Sequence, residues 1–127
     1  VLYKENAWRP YTYTSDAADA IITILLAKSD LVAGEVFNVG SQNFRKKDLL
    51  VPLKKYVKHF NVVYEGGEAD TRDYRVSFEK IKKVLNFVPS YSIENGIKEL
   101  VFVLQNGFFQ NPYDPKYVVW IKRELFK

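Results

Sequence analysis

The sequence predicts a small mixed α and β domain that is rich in helix and carries three or four short strands. Apolar residues recur at helical spacing in several stretches, whereas the runs of β-branched and aromatic residues between them are short. The chain has 127 residues, 47% of them hydrophobic and 27% charged. This composition is typical of one globular domain and excludes a disordered polymer. We therefore interpret residues 1–127 as a single domain in which residues 108–127 form a C-terminal helical extension.

A strand, a helix and a second strand are predicted first. Residues 10–14 (Pro-Tyr-Thr-Tyr-Thr) have the aromatic and β-branched character of a strand. Ser15 and Asp16 follow and can supply an N-cap oxygen, so a helix is predicted over residues 17–26. This helix is apolar enough to be buried on most of its surface. Residues 34–40, which begin and end with glycine, predict the second strand.

The middle of the chain predicts a helix and a third strand. Residues 46–60 carry an apolar stripe at helical spacing. Pro52 should delay the start of this helix or kink it, because a mid-helix proline costs about 3 kcal/mol. Residues 61–64 then predict a strand, which Gly66 and Gly67 end.

Two further helices are predicted beyond this strand. Ser77 can cap a short one, and a longer one follows Pro89 with an apolar stripe and with Gly107 as its C′ residue. We expect the stripe of the longer helix, including Leu100, to share one core with the helix that follows Asp16.

The last predicted element is a terminal helix. Asp114 and Pro115 form an N-cap and N1 pair that would open a helix through Trp120 to Leu125.

Several classes of function are excluded by composition. The chain has no cysteine and one histidine, His59, so disulfides, thiolate nucleophiles and Cys- or His-rich metal centres are ruled out. Asp70 and Asp73 come nearest to a carboxylate pair and are weak evidence for a metal or acid–base site. No apolar run approaches the roughly 18 residues of a membrane span, and the polar N-terminus is unlike a signal peptide. We predict a soluble, cytoplasmic domain without a membrane partner.

The charge balance is basic, with a formal net charge of +4. Such a surface can attract phosphates. The simplest interpretation of the densest basic stretch, however, is the solvated face of an amphipathic helix. No RNA-recognition motif or zinc-finger spacing is present, so no nucleic-acid partner is predicted. A non-enzymatic basic module for a protein or a polyanionic partner remains the alternative function. The basic stretch comprises Arg45, Lys46, Lys47, Lys54, Lys55 and Lys58.

Motifs for cofactor binding and catalysis are absent from the sequence. There is no glycine-rich dinucleotide or P-loop motif, no Tyr-x-x-x-Lys pair and no glycine-flanked serine, so we assign no catalytic, cofactor-binding or metal-binding residue. Two arginines stand out, Arg9 before the first strand and Arg72 in a polar loop. A guanidinium group can bind phosphate oxygens in a bidentate manner. On the residues alone, the favoured interpretation is that each arginine pairs with a nearby carboxylate, such as Arg72 with Asp70.

Four motifs in order resemble the extended short-chain dehydrogenase/reductases, and among them the NAD-dependent nucleotide-sugar epimerases and dehydratases. The first is WRPYTYTSDAA at residues 8–18, and GEVFNVG at residues 34–40 resembles the strand after that helix. RDYRVSFEKI at residues 72–81, followed by LNFVP at residues 85–89, resembles a later block that begins with arginine. IENGI at residues 93–97 resembles the last helix of the family.

This resemblance implies a C-terminal substrate-binding lobe whose Rossmann domain is not in the chain. That N-terminal domain would bind NAD or NADP and carry the Ser/Thr, Tyr and Lys catalytic residues, and the absence of methionine agrees with a piece of a longer protein. The full-length protein would be an NAD(P)-dependent nucleotide-sugar epimerase or dehydratase, with a homodimer as one possible assembly. The lobe alone should be inactive and bind no cofactor.

The resemblance also assigns roles to individual residues. The arginines that contact the nucleotide diphosphate fall on Arg9 and Arg72, so both are predicted to bind the nucleotide-sugar substrate. Arg75 should face away from that site, because residues 72 and 74 of an extended segment share one face and residues 73 and 75 the other. Asp16 is predicted to cap its helix and to have no catalytic role.

Overall fold

A computed structural model describes residues 2–65 and 72–117, which form a helix-rich α and β domain. Two 3₁₀ turns, Lys46–Leu49 and Pro115–Tyr117, complete its secondary structure. The four strands are β1 (Leu2–Tyr3), β2 (Trp8–Tyr11), β3 (Gln42–Arg45) and β4 (Tyr64–Glu65). The five helices are α1 (Thr14–Leu26), α2 (Ser29–Val32), α3 (Leu50–Tyr56), α4 (Glu79–Leu85) and α5 (Ile93–Gln105). The predicted fold class is confirmed.

The described strands form two separate two-stranded sheets. β1 pairs with β4 in parallel, and β2 pairs with β3 in antiparallel fashion, with Trp8 opposite Arg45 and Tyr11 opposite Gln42. Side chains alternate between the two faces of a strand. The β2–β3 ribbon therefore carries Trp8 and Arg45 on one face and Arg9 on the other.

The strand predicted over residues 34–40 is wrong for the described chain. These residues have no regular secondary structure, and no described strand pairs with them. A strand needs a ladder of hydrogen bonds to a neighbour, and the sequence pattern of a segment does not supply that neighbour. The segment lies instead against the loop before α4, where Asn38 Nδ2 donates to the carbonyl of Ser77 at 3.3 Å.

The predicted N-cap of α1 is also wrong. The helix begins at Thr14, its N-cap residue is Tyr13, and no side chain caps it. Asp16 is only 1% exposed. Its carboxylate accepts the backbone N–H groups of Ser90 at 2.7 Å and Tyr91 at 3.2 Å. Asp16 therefore ties the start of α1 to the segment that enters α5, instead of capping its own helix.

The helix containing Pro52 begins late, as predicted. A 3₁₀ turn comes first, and α3 then starts at Leu50, so Pro52 is its third residue. The first N–H groups of a helix have no intrahelical partner, so a proline there removes no hydrogen bond. The helix ends at Tyr56, before the predicted residue 60.

Other helix ends follow their local sequence. Gly107 has a positive φ of 69° after α5 and is the predicted C′ residue, and Asn86 takes the same left-handed role after α4 with φ 53°. Ser92 caps α5 by accepting the N–H of Asn95. Asp114 accepts the N–H of Lys116, as an N-cap does, whereas the rest of the predicted terminal helix lies outside the described residues.

The buried core of the described chain is small and centred on α1 and α4. Ala20, Ile81 and Phe87 form it. The half-buried side chains packed around it are Ile24, Phe37, Val39 and Leu85. The expectation that the stripe of α5 shares this core is wrong, because α5 packs against α3 instead. Leu100 of α5, expected to be buried, is 55% exposed.

The expected burial of α1 is wrong as well. Leu25 is 76% exposed and Leu26 is 82% exposed, and Ile21 and Ile22 are also exposed. An apolar helix face of this kind is normally covered in a finished protein. No helix among the described residues is long and apolar enough to cross a membrane.

Candidate functional site

The candidate site is built where the segment after residue 71 runs beside β2. Trp8 N–H donates to Asp73 Oδ1 at 2.8 Å, and the N–H of Tyr74 donates to the carbonyl of Trp8 at 3.4 Å. One step further, Asn43 of β3 donates to the carbonyl of Val76 and accepts the N–H of Val76, both at 2.9 Å. The β2–β3 ribbon and the 72–76 segment are thus joined by several hydrogen bonds.

Gly40 also fixes the far end of this segment. A Cβ atom at Gly40 would lie 2.5 Å from two ring carbons of Phe78 and 3.1 Å from Thr12 Oγ1. Glycine is therefore required for the ring of Phe78 to pack where it does, between the chain after α2 and the approach to α4.

Arg9 lies on one face of the β2–β3 ribbon. Its guanidinium Nη1 donates to the carbonyl of Trp8 at 2.7 Å, and its Cζ atom lies 5.4 Å from the centre of the Tyr74 ring. Tyr11 and Phe44 form an edge-to-face pair with ring centres 6.2 Å apart on the same side. Burial raises the pKa of Tyr11, and the neighbouring Arg9 opposes that rise. The guanidinium is thus held among aromatic rings at a partly buried position.

Arg75 lies elsewhere. Its Cζ atom is 4.9 Å from the centre of the Trp8 ring, and that of Arg45 is 5.1 Å from the same ring. Trp8 and Arg9 are consecutive in β2 and point to opposite faces. The described structure therefore separates Arg75 from Arg9.

Arg72 is exposed and lies two residues before Tyr74, which contacts Arg9. In an extended segment, that spacing puts Arg72 on the same face as Tyr74. The diphosphate-binding role of Arg9 and Arg72 stays a prediction, and the carboxylate proposed as the alternative partner of Arg72, Asp70, lies outside the described residues, as do Gly66 and Gly67.

The sequence did not point to the aromatic and amide groups that build this site. Tyr74 lies in the 72–81 motif without a role assigned to it, Asn43 lies in no motif, and both contact residues more than thirty positions away. No cluster of three or more potential metal-binding side chains occurs among the described residues.

Comparison with known proteins gives a consistent family. No known family model matches the chain. It is 25% identical over 133 residues to dTDP-glucose 4,6-dehydratase 1 of Escherichia coli strain K12, an alignment covering 94% of the chain and 36% of that enzyme. It is 30% identical over 102 residues to a UDP-N-acetyl-alpha-D-glucosaminuronate decarboxylase of Bacillus cytotoxicus, covering 73% of the chain and 31% of that enzyme.

Solved structures share the fold. L-threonine dehydrogenase of Clostridium difficile superposes with a TM-score of 0.73 at 21% identity, covering 84% of the chain and 35% of that protein. RMD of Pseudomonas aeruginosa, complexed with NADPH, superposes with a TM-score of 0.70 at 19% identity, and the match covers 83% of the chain and 35% of that protein. The chain spans about a third of each relative. The chain belongs to the extended short-chain dehydrogenase/reductases.

Proposed function

We propose that the chain is the C-terminal lobe that binds the nucleotide-diphosphate part of a nucleotide sugar. The observation that supports this best is the attachment of the 72–76 segment to β2, which brings Tyr74 against Arg9. Arg9 and Arg72 would then approach one ligand from two different elements. The matching relatives act on dTDP-glucose and a UDP-linked sugar, so this ligand class agrees with theirs.

The chemistry of a diphosphate suits this arrangement. Two negative phosphoryl groups need fixed cationic donors, and a guanidinium group offers paired N–H donors with the spacing of phosphate oxygens. The guanidinium of Arg9 is held by the carbonyl of Trp8 and the ring of Tyr74, so little side-chain freedom remains to be lost on binding. A base or sugar could pack on the neighbouring rings of Tyr11 and Phe44.

The whole protein would contain a second, N-terminal domain that binds NAD or NADP. The exposed apolar face of α1, with Leu25 and Leu26, supports such a partner, because burying this face would remove a large apolar area from water. Catalysis would then depend on residues of that domain, and the assembled protein would be a cytoplasmic epimerase or dehydratase able to form a homodimer. The lobe would position the substrate and would do no chemistry alone.

A basic binding module is the second candidate. The observation that favours it is the Trp8 ring with Arg45 and Arg75 beside it, on the other face of the ribbon. Such a cluster could contact phosphates of a polymer. Binding of that kind falls steeply with salt, because phosphate contacts release counterions.

Isothermal titration of the chain with UDP, dTDP and a DNA duplex separates these candidates. The diphosphate proposal predicts saturable one-to-one binding of a nucleoside diphosphate and competition by the matching nucleotide sugar. Absence of nucleoside diphosphate binding, together with tight and steeply salt-dependent duplex binding, would contradict it and favour the polyanion module.

A further inference from the structure

An apolar cavity of about 620 Å³ lies between α3 and α5 and reaches Tyr11 at the end of β2. The residues that matter most in its wall come from the N-cap of α1, from α3, from α5 and from the loop after α5. They are Tyr13, Leu53, Ile97, Leu100, Val103 and Phe109. We call this cavity the α3–α5 groove.

The groove is open to solvent and lined mostly by apolar side chains. Apolar surface exposed to water in this way is favourably buried against another apolar surface. Leu100, in its wall, is 55% exposed. Something apolar should therefore cover the groove.

The described chain ends beside this groove. Phe109 lines it, and the ring of Tyr117 packs edge-on against Phe109 with ring centres 4.8 Å apart. Tyr117 is the last described residue, and residues 118–127 follow it directly. Large apolar side chains make up much of that segment: Val118, Val119, Trp120, Ile121, Leu125 and Phe126.

We propose that residues 118–127 dock in the α3–α5 groove and complete the core on that side. Ten residues reach about 15 Å as a helix and about 33 Å when extended, so the distance from the rim of the groove is not limiting. The segment also carries Lys122 and Arg123, and the groove wall contains the carboxylate of Glu99. The groove shares Tyr11 with the face that carries Arg9. The inference nevertheless does not rest on the diphosphate proposal, because its tests involve no nucleotide.

Tryptophan fluorescence tests the docking in the full chain. The chain has two tryptophans, Trp8 and Trp120, so the Trp8→Phe variant reports on Trp120 alone. Docking predicts an emission maximum shifted to the blue of the unfolded chain and protection from acrylamide quenching. The difference between the spectra of the wild type and Trp120→Phe gives the same information without altering Trp8. Emission and quenching equal to those of the unfolded chain would overturn the proposal.

A matched pair of variants locates the docking site. Leu100→Lys changes the groove wall, whereas Phe102→Lys changes the same helix at a similar exposure, outside the groove. We expect the blue shift to be lost in the first variant and kept in the second, with helix content checked by circular dichroism. A shift lost equally in both would contradict the assignment.

A second copy of the chain could also cover the groove, and two measurements distinguish it from the C-terminal segment. A blue shift that grows with protein concentration together with a dimeric mass would overturn the proposal in favour of a second copy. Deleting residues 118–127 should speed hydrogen exchange of the amides of Ile97 and Leu100. Unchanged exchange in the deleted chain would show that the segment does not cover this helix.

Discussion

Replacing Asp16 should lower the free energy of unfolding by a large amount for so small a side chain. The side chain is 1% exposed and accepts two backbone N–H groups, those of Ser90 and Tyr91. A hydrogen bond to a charged group contributes about 1.5–3 kcal/mol, and less where water reaches the donor, as it does in part at both of these bonds. Asp16→Ala removes both acceptors and should lower the free energy of unfolding by about 2–6 kcal/mol, a large part of the 5–15 kcal/mol typical of a domain.

Urea denaturation followed by circular dichroism measures this loss. Asp16→Asn keeps one acceptor oxygen and should lose about half as much, which gives a measurable value even where the alanine variant does not fold. Asp19→Ala is the matched control, because Asp19 is exposed on the same helix, and its effect should stay within about 0.5 kcal/mol. If Asp16 were only an N-cap, the alanine variant would lose about 1 kcal/mol of unfolding free energy and the asparagine variant nearly none. That result would refute the role of Asp16 in joining α1 to the segment before α5.

Three further changes test the packing and the charges. Gly40→Ala places a Cβ 2.5 Å from the Phe78 ring and should lower the free energy of unfolding in urea by about 1–3 kcal/mol. Adding Phe78→Leu to the same chain should restore part of this loss. An unchanged free energy of unfolding in Gly40→Ala would contradict the contact. Ile81→Ala should cost about 2–5 kcal/mol, since Ile81 is 2% exposed in the core, and a loss under about 0.5 kcal/mol would place it at the surface. The hydrogen bond that Tyr13 donates to Glu99, followed by burial, raises the pKa of Tyr13 to about 12 from 10.0. The folded state holds this proton more tightly, so its contribution to stability is complete below pH 10.0 and is lost as the pH rises to about 12. Unfolding midpoints measured across this range should fall less steeply for Tyr13→Phe than for the wild type, and equal slopes would refute the assignment.

The features that the sequence predicted well are those with local causes. Apolar spacing predicted α1, α3, α4 and α5 but not the short α2. Pro52 set the late start of α3 because the first turn of a helix tolerates proline. Gly107 was predicted as a C′ residue because only a residue without a Cβ takes a positive φ without strain. These signals lie within a few residues of the structure they specify.

The features that the sequence did not predict depend on distant partners. Residues 34–40 have the composition of a strand, yet a strand needs a neighbour, and none is described for them. Asp16 has the position of a cap, yet its hydrogen bonds go to Ser90 and Tyr91, more than seventy residues away. The stripe of α5 has the pattern of a core helix, but the pattern does not say which helix it contacts.

The candidate site shows the same division. The motif pointed to Arg9, and alternation along an extended segment predicted that Arg75 faces away, which the contact of Arg75 with Trp8 agrees with. Tyr74 and Asn43, which hold the two segments together, could not be found this way, because their hydrogen-bond and ring partners lie far along the chain.

Arg9 and Arg72 are proposed to bind one nucleotide diphosphate together. Isothermal titration with UDP or dTDP, whichever binds, should be run on the chain and on its Arg9→Ala, Arg72→Ala and Arg75→Ala variants. Hydrogen bonds to a charged group contribute about 1.5–3 kcal/mol, so each of the first two variants should raise Kd by about 10- to 150-fold. Arg75→Ala should leave Kd nearly unchanged, because its guanidinium lies on Trp8. Equal losses in all three variants, or no loss in Arg9→Ala and Arg72→Ala, would contradict the account.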